Sequence, residues 1–149
     1  MKVTRFGITY DTELGTFTRD GKNAARKQNE KYLCVCFNGK TFTAGRAAFY
    51  IVNGYLPTLH MDHIDGNTKN NSWANLRELS RTQNNRCRRP YSKSGYKGVY
   101  KYRGQYRVTI TVDNQHIKLG RYNDPIEAAK VYDEAAKKYF GEICYLNFP

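Results

Sequence analysis

Apolar and polar positions alternate over much of the N-terminal part of the chain, the rhythm of half-buried strands. Phe6 to Thr18 gives short β segments broken at Gly15, and residues 19–30 are polar and basic enough to read as a loop. Lys31 to Phe37 alternates through Tyr32, Leu33, Cys34, Val35 and Cys36, then turns at Asn38-Gly39. Asn-Gly between two such runs is a strong hairpin signal, with Lys40 to Thr43 as the return strand. Arg46 to Val52 changes to a short helical pattern, stopped by Asn53-Gly54.

The middle of the chain predicts strand, loop, strand, helix. Leu59 to Ile64 fits a strand. Asp65 to Ala74 is too rich in Asn and Gly for anything but a loop. Asn75 to Leu79 fits a second strand, and Ser80 to Arg89 a helix with Ser80 as its N-cap. Residues 90–94, from Pro90 to Ser94, read as a linker. Three strands follow, Tyr96 to Tyr102, Gln105 to Val112 and His116 to Arg121. The last helix has Asp124 as cap, Pro125 at its first position and Glu127 at its third. Ile126, Ala129, Tyr132, Ala136 and Tyr139 or Phe140 form the expected apolar stripe, with Gly141 beyond the end. The expected fold is α+β in two parts, 1–89 and 95–149. The first divides into a β-rich lead-in (1–56) and a strand-strand-helix motif (57–89). The second is a three-stranded antiparallel sheet packed on one helix.

Charge narrows the partner. A net charge of +12 points to a polyanion, and 13 tyrosines add rings and hydroxyls suited to bases and phosphates. The longest apolar run, Ala47 to Val52, is far short of a membrane span. The first residues lack the apolar segment of a signal peptide, so a cytoplasmic location is expected. Cys34, Cys36, Cys87 and Cys144 include no C-x-x-C pair. Cys34 and Cys36 would share one face of a strand, and free thiols are expected rather than a zinc site.

The chemistry is concentrated in Asp62-His63-Ile64-Asp65-Gly66-Asn67, Asn70-Asn71, Asn75-Leu76-Arg77 and Gln83-Asn84-Asn85. Carboxylate and amide oxygens are hard ligands that suit Mg²⁺ or Mn²⁺. A neutral imidazole beside them can take a proton from water. Neighbours on a strand point to opposite faces, so Asp62 and His63 can divide metal and water between them. Asp65, Asn67, Asn70 and Asn71 read as loop-formers, and His60 shares the side of Asp62.

Residues His60 to Asn67, with Asn75-Leu76-Arg77 and Gln83-Asn84-Asn85-Arg86, resemble an HNH endonuclease of the ββα-metal type, in the phage and intron-homing branch that lacks zinc. That resemblance implies His63 as general base and Asp62 and Asn84 as ligands of one Mg²⁺ or Mn²⁺. Asn75 would tie the loop to the strand and hold the base. Cys87 stands where the family often has a further Asn. Residues 95–149 resemble the APETALA/ethylene-response-factor DNA-binding domain through Gly98-Val99, Gly104-Gln105-Tyr106, Leu119-Gly120-Arg121-Tyr122, Glu127 to Asp133, and Leu146-Asn147-Phe148-Pro149, where such domains end.

In the second part Tyr106, Val108, Ile110 and Val112 should pack on the helix. The other face would carry Tyr100, Arg103, Arg107, Thr109, Thr111, His116 and Lys118 toward the major groove. The places that hold Arg and Trp in the plant domains are here largely other residues, so their recognition sequence does not carry over. Between Arg77 and Arg107 stand ten Lys or Arg against one acid, Glu78. Arg86, Arg88, Arg89, Lys93, Lys97, Lys101, Arg103 and Arg107 are the expected phosphate contacts within it. The expectation is a monomeric, Mg²⁺-dependent endonuclease of double-stranded DNA with no membrane association. The alternatives are a DNA-binding regulator without cleavage, or a protein that binds or cuts RNA.

Overall fold

The computed structural model describes residues 1–90 and 92–149. Tyr91, inside the expected linker, lies outside the described residues. The described residues form α and β structure with antiparallel sheets. Their contacts divide the chain into two compact units, Met1–Arg81 and Thr82–Pro149.

The first unit opens with a four-stranded sheet in sequence order: β1 Lys2–Arg5, β2 Ile8–Asp11, β3 Thr16–Arg19 and β4 Lys22–Asn23. A second sheet joins β5 Ala25–Lys27, β6 Leu33–Phe37 and β7 Lys40–Thr43. Helix α1 spans Ala44–Asn53 and ends at Gly54, whose φ of 85° is left-handed. Alternation explains the core: Ile8 and Tyr10 are fully buried on β2 and meet Phe17, Val35, Phe37, Ala44, Ala47, Ala48 and Ile51. The polar segment 19–30, expected as a loop, holds β4 and β5. Asp20 and Gly21 both take positive φ, 49° and 74°, and close the β3–β4 hairpin. Backbone pairing across such a turn needs no apolar side chains.

Two further strands, β8 His60–His63 and β9 Leu76–Leu79, pair antiparallel, with Asp62 opposite Arg77 and His63 opposite Leu76. A 3₁₀ turn, Trp73–Asn75, leads into β9. Helix α2, Arg81–Cys87, is shorter than the expected 80–89 and buries no side chain of its own.

The second unit orders β10 Val99–Tyr102, β11 Gln105–Val112 and β12 Gln115–Tyr122 as one antiparallel sheet, followed by α3 Pro125–Phe140. Val99, Val108 and Ile110 bury against Ala128, Ala129, Tyr132, Ala135 and Ala136. The Asp124 carboxylate accepts from the Glu127 N–H at 2.9 Å. The buried stripe departs from the expected one at Ile126, which is 45% exposed; of the two alternatives at its end, Phe140 packs on the core and Tyr139 is 41% exposed. Positions 128, 129, 132, 135 and 136 complete a 3.6-residue stripe, and Ile126 lies about 200° round the helix from Ala128. A side chain at Gly98 would put its Cβ 2.0 Å from the Tyr132 ring, so only glycine lets α3 sit this close.

Buried Asp133 fastens the chain's last residues, accepting from the Asn147 and Phe148 N–H groups at 2.8 Å each. Helix α2 is fastened to the same unit. The Lys97 ammonium donates to the carbonyls of Asn85 (3.2 Å), Arg86 and Arg88 (2.8 Å). The Arg86 guanidinium lies 4.3 Å from the Phe140 ring centroid, and the Arg86 carbonyl accepts from the Tyr145 N–H at 3.0 Å. Burial pushes the Lys97 pKa down to about 8.

Candidate functional site

Asp62 and His63 end β8, and the loop from Ile64 to Ser72 returns beneath them to β9. Asn75 closes that loop. Its Nδ2 donates to Asp65 Oδ1 at 2.9 Å and to the Asn70 carbonyl at 2.8 Å. Its Oδ1 accepts from the Asp65 N–H at 3.0 Å, and its carbonyl from the Ile64 N–H at 2.9 Å. Asp65 also accepts from Asn70 Nδ2 and the Asn67 N–H, both at 2.7 Å. These donors, the Asn70 amide first, hold its carboxyl below the usual carboxylate range. Asp65, Asn67 and Asn70 thus form the loop, as their composition suggests.

His63 is 9% exposed. Its Nε2 lies 3.1 Å from Oδ1 of Asn71, which is 1% exposed. Sequence reasoning places Asn71 only as a loop residue, because a pair of asparagines does not reveal which side chain turns inward. Asp62 Oδ2 accepts from Arg77 Nε at 2.9 Å, across the β8–β9 pair. Both side chains are partly buried, 18% and 28% exposed. A carboxylate has about four lone-pair positions, so one guanidinium contact leaves capacity for a cation. Asp62, His63 and Asn75 therefore come together in the first unit. Asn84, half-buried on α2, belongs to the second.

Asp62 in the first unit and Asn84 in the second each carry a hard oxygen of the kind divalent cations take. Among the described residues no group of three or more His, Cys, Asp and Glu is gathered to hold a metal. A site of one carboxylate and amide oxygens is of a different kind. The four cysteines are free.

On the second unit, Arg107 and Arg121 face each other across β11 and β12. With Arg103 they surround the Tyr102 ring, at 5.3 Å for Arg103, 5.6 Å for Arg107 and 5.9 Å for Arg121. Thr109 pairs with Lys118, and Thr111 Oγ1 lies 2.9 Å from His116 Nδ1. Arg121 is not among the expected contacts, because it ends the strand read from sequence and its register is not legible there. Arg88 and Arg89 line a hollow of about 480 Å³ with Asn85, Lys97 and Tyr100. Lys93 is exposed.

Two of the expected phosphate contacts, Lys97 and Arg86, have other partners, and a third, Lys101, is exposed on the other face of the sheet. The Lys97 hydrogens go to three carbonyls. Arg86 packs on Phe140 and lies 3.7 Å from Asp113. Lys101 pairs with Tyr106, a residue packed on the α3 core, and so lies on the helix side of the sheet.

Residues 44–86 match the family model described as HNH endonuclease. The match runs from α1 through β8 and β9 into α2 and covers the Asp62–His63, Asn75 and Asn84 positions. It points to a nuclease, a phosphodiester hydrolase acting on nucleic acid. No curated protein matches the chain. Among the described residues no helix is long and apolar enough to cross a membrane.

Proposed function

We propose that this protein is a metal-dependent endonuclease of double-stranded DNA, of the ββα-metal, homing-type branch. The observation that carries the reading is the β8–β9 hairpin. It holds Asp62 and His63 side by side over a loop tied by Asn75, within a segment similar to HNH endonucleases. His63 takes the proton of a water molecule placed in line with the scissile P–O bond. Asp62 and Asn84 are the side chains that would hold the cation, Mg²⁺ or Mn²⁺. When bound, the cation offsets charge on the phosphate and on the departing 3′-oxygen. Arg77, 2.9 Å from Asp62 Oδ2, holds that carboxylate in place. The products are a 5′-phosphate and a 3′-hydroxyl.

The second unit is proposed as the duplex grip, in the manner of the ethylene-response-factor domains it resembles. Three guanidiniums around one tyrosine on an exposed sheet form a like-charge cluster suited to backbone phosphates. Arg103, Arg107, Arg121 and Lys118 would hold phosphate. Thr109, Thr111, His116 and Tyr100 stand where groove contacts would fall. Lys97, Arg86 and Lys101 have no place in this surface. The pairing of Asp62 with Arg77 favours a second reading, a DNA-binding regulator that does not cut.

Incubation with supercoiled plasmid separates the two. Nicked or linear product with Mg²⁺ or Mn²⁺, absent with EDTA, is expected. Tight binding without product under every divalent cation would favour the regulator.

A further inference from the structure

The orientation of Asn71 is fixed from both ends. Its Nδ2 donates to the Lys69 carbonyl at 3.2 Å, which turns Oδ1 toward His63 Nε2 at 3.1 Å. An amide oxygen only accepts, so the imidazole nitrogen that faces it carries a proton. A neutral imidazole has one proton to place, and Nδ1 is therefore left with its lone pair. We propose that Asn71 is the positioning residue of the general base: it selects the Nε2–H form of His63 and leaves Nδ1 to receive the proton of water. The proposal rests on the nuclease reading for its chemistry and on the hydrogen-bond geometry for its tautomer.

The support reaches back into the N-terminal sheet. The Tyr10 hydroxyl, on a fully buried side chain of β2, donates to the Asn71 carbonyl at 2.7 Å. The Trp73 N–H donates to the Thr12 carbonyl at 2.7 Å. Gly15 lies so close that a Cβ there would stand 2.4 Å from Asn71 C and Ser72 N. Residues distant in sequence thus set one amide against one ring. Asn75 does a different job, because its bonds go to Asp65, Asn70 and Ile64.

Two variants of the full chain test this. Asn71→Leu removes the acceptor at similar size. Asn71→Asp keeps an oxygen facing Nε2. Asn71→Leu should lower kcat by roughly 10- to 100-fold with KM for duplex DNA unchanged, as loss of such supporting partners does. Asn71→Asp should retain cutting within about tenfold of wild type by the same reasoning. In a His63→Ala background Asn71→Leu should add no further loss, because residues acting as a unit are not additive. The ¹⁵N–¹H spectrum of the His63 ring, at a pH where it is neutral, should show the proton on Nε2 in wild type and a mixed population in Asn71→Leu.

A wild-type ring protonated on Nδ1 overturns the proposal, as does wild-type kcat in Asn71→Leu. So does a further loss when Asn71→Leu is added to His63→Ala. If Asn71→Leu does not fold, the wild-type ring spectrum and the Asn71→Asp rate decide. If wild type cuts no DNA with either cation, the nuclease reading has failed, and the ring spectrum still judges the tautomer.

Discussion

His63 keeps 9% of its surface exposed, and a general base must still meet water. Nε2 faces Asn71, so under the proposal Nδ1 is the edge that meets water. His63→Ala should therefore lower cleavage by at least ~100-fold while duplex affinity stays nearly unchanged. Near-wild-type nicking by that variant, measured on supercoiled plasmid, would remove the assignment. Asp65 makes a second prediction at this scale. Its folded pKa is depressed, so its contribution to stability is present above its unfolded value and is lost as pH falls through the folded one. Wild type should melt above Asp65→Asn at neutral pH, and the gap should close only below the ordinary carboxylate range. A gap that persists in strong acid would mean that the loop is held by something else. The residue types of the site were legible because Asp-His and recurrent Asn are a poor recipe for a core. The partners were not. Arg77 meets Asp62 through strand register, and Asn71 meets His63 through a loop shape that Tyr10 and Gly15 impose from elsewhere in the chain.

Helix α2 shows the same divide among elements. Its existence was readable from sequence, but seven residues with no buried side chain are too few to stand alone. Its stability comes from Lys97, Phe140 and Tyr145, none of them near in sequence. Lys97→Met keeps much of the stem and removes three donors to carbonyls. It should cost about 1.5–3 kcal/mol, the range for hydrogen bonds to a charged group. Amide exchange in α2 should accelerate more than in β11. Equal protection in variant and wild type would mean that the carbonyls find water instead. Local rules served where they are complete, as with the Asp124 cap and the Asn38-Gly39 turn. They failed over residues 19–30, where backbone pairing alone makes the strands.

A charge of +12 on the whole molecule implies polyanion binding that weakens with salt, and the proposal puts that contact on the arginine cluster. Replacing Arg103, Arg107 and Arg121 together by alanine should flatten the plot of log affinity against log salt. The slope should change by about 0.9 for each phosphate that is no longer neutralised, with cleavage chemistry intact at saturating enzyme. An unchanged slope would move the grip off this face. The unit division also revises what truncation can do. Read from sequence, a chain ending at residue 94 keeps every chemical residue in a folded half. In the structure it would retain Asn84 but lack Lys97, Phe140 and Tyr145, the groups that hold its helix.

That division has a consequence for how such proteins could be recombined. Two modules are usually thought to trade partners at the linker, each carrying its own task. Here a swap made at residues 90–94 would strand α2 on a stranger's scaffold, whereas one made after Ser80 would transfer the helix intact. The second swap carries Asn84 along with the sheet proposed to grip DNA. A newly acquired recognition module would then bring half of the proposed cation's protein ligands with it, and address and reactivity would be inherited together.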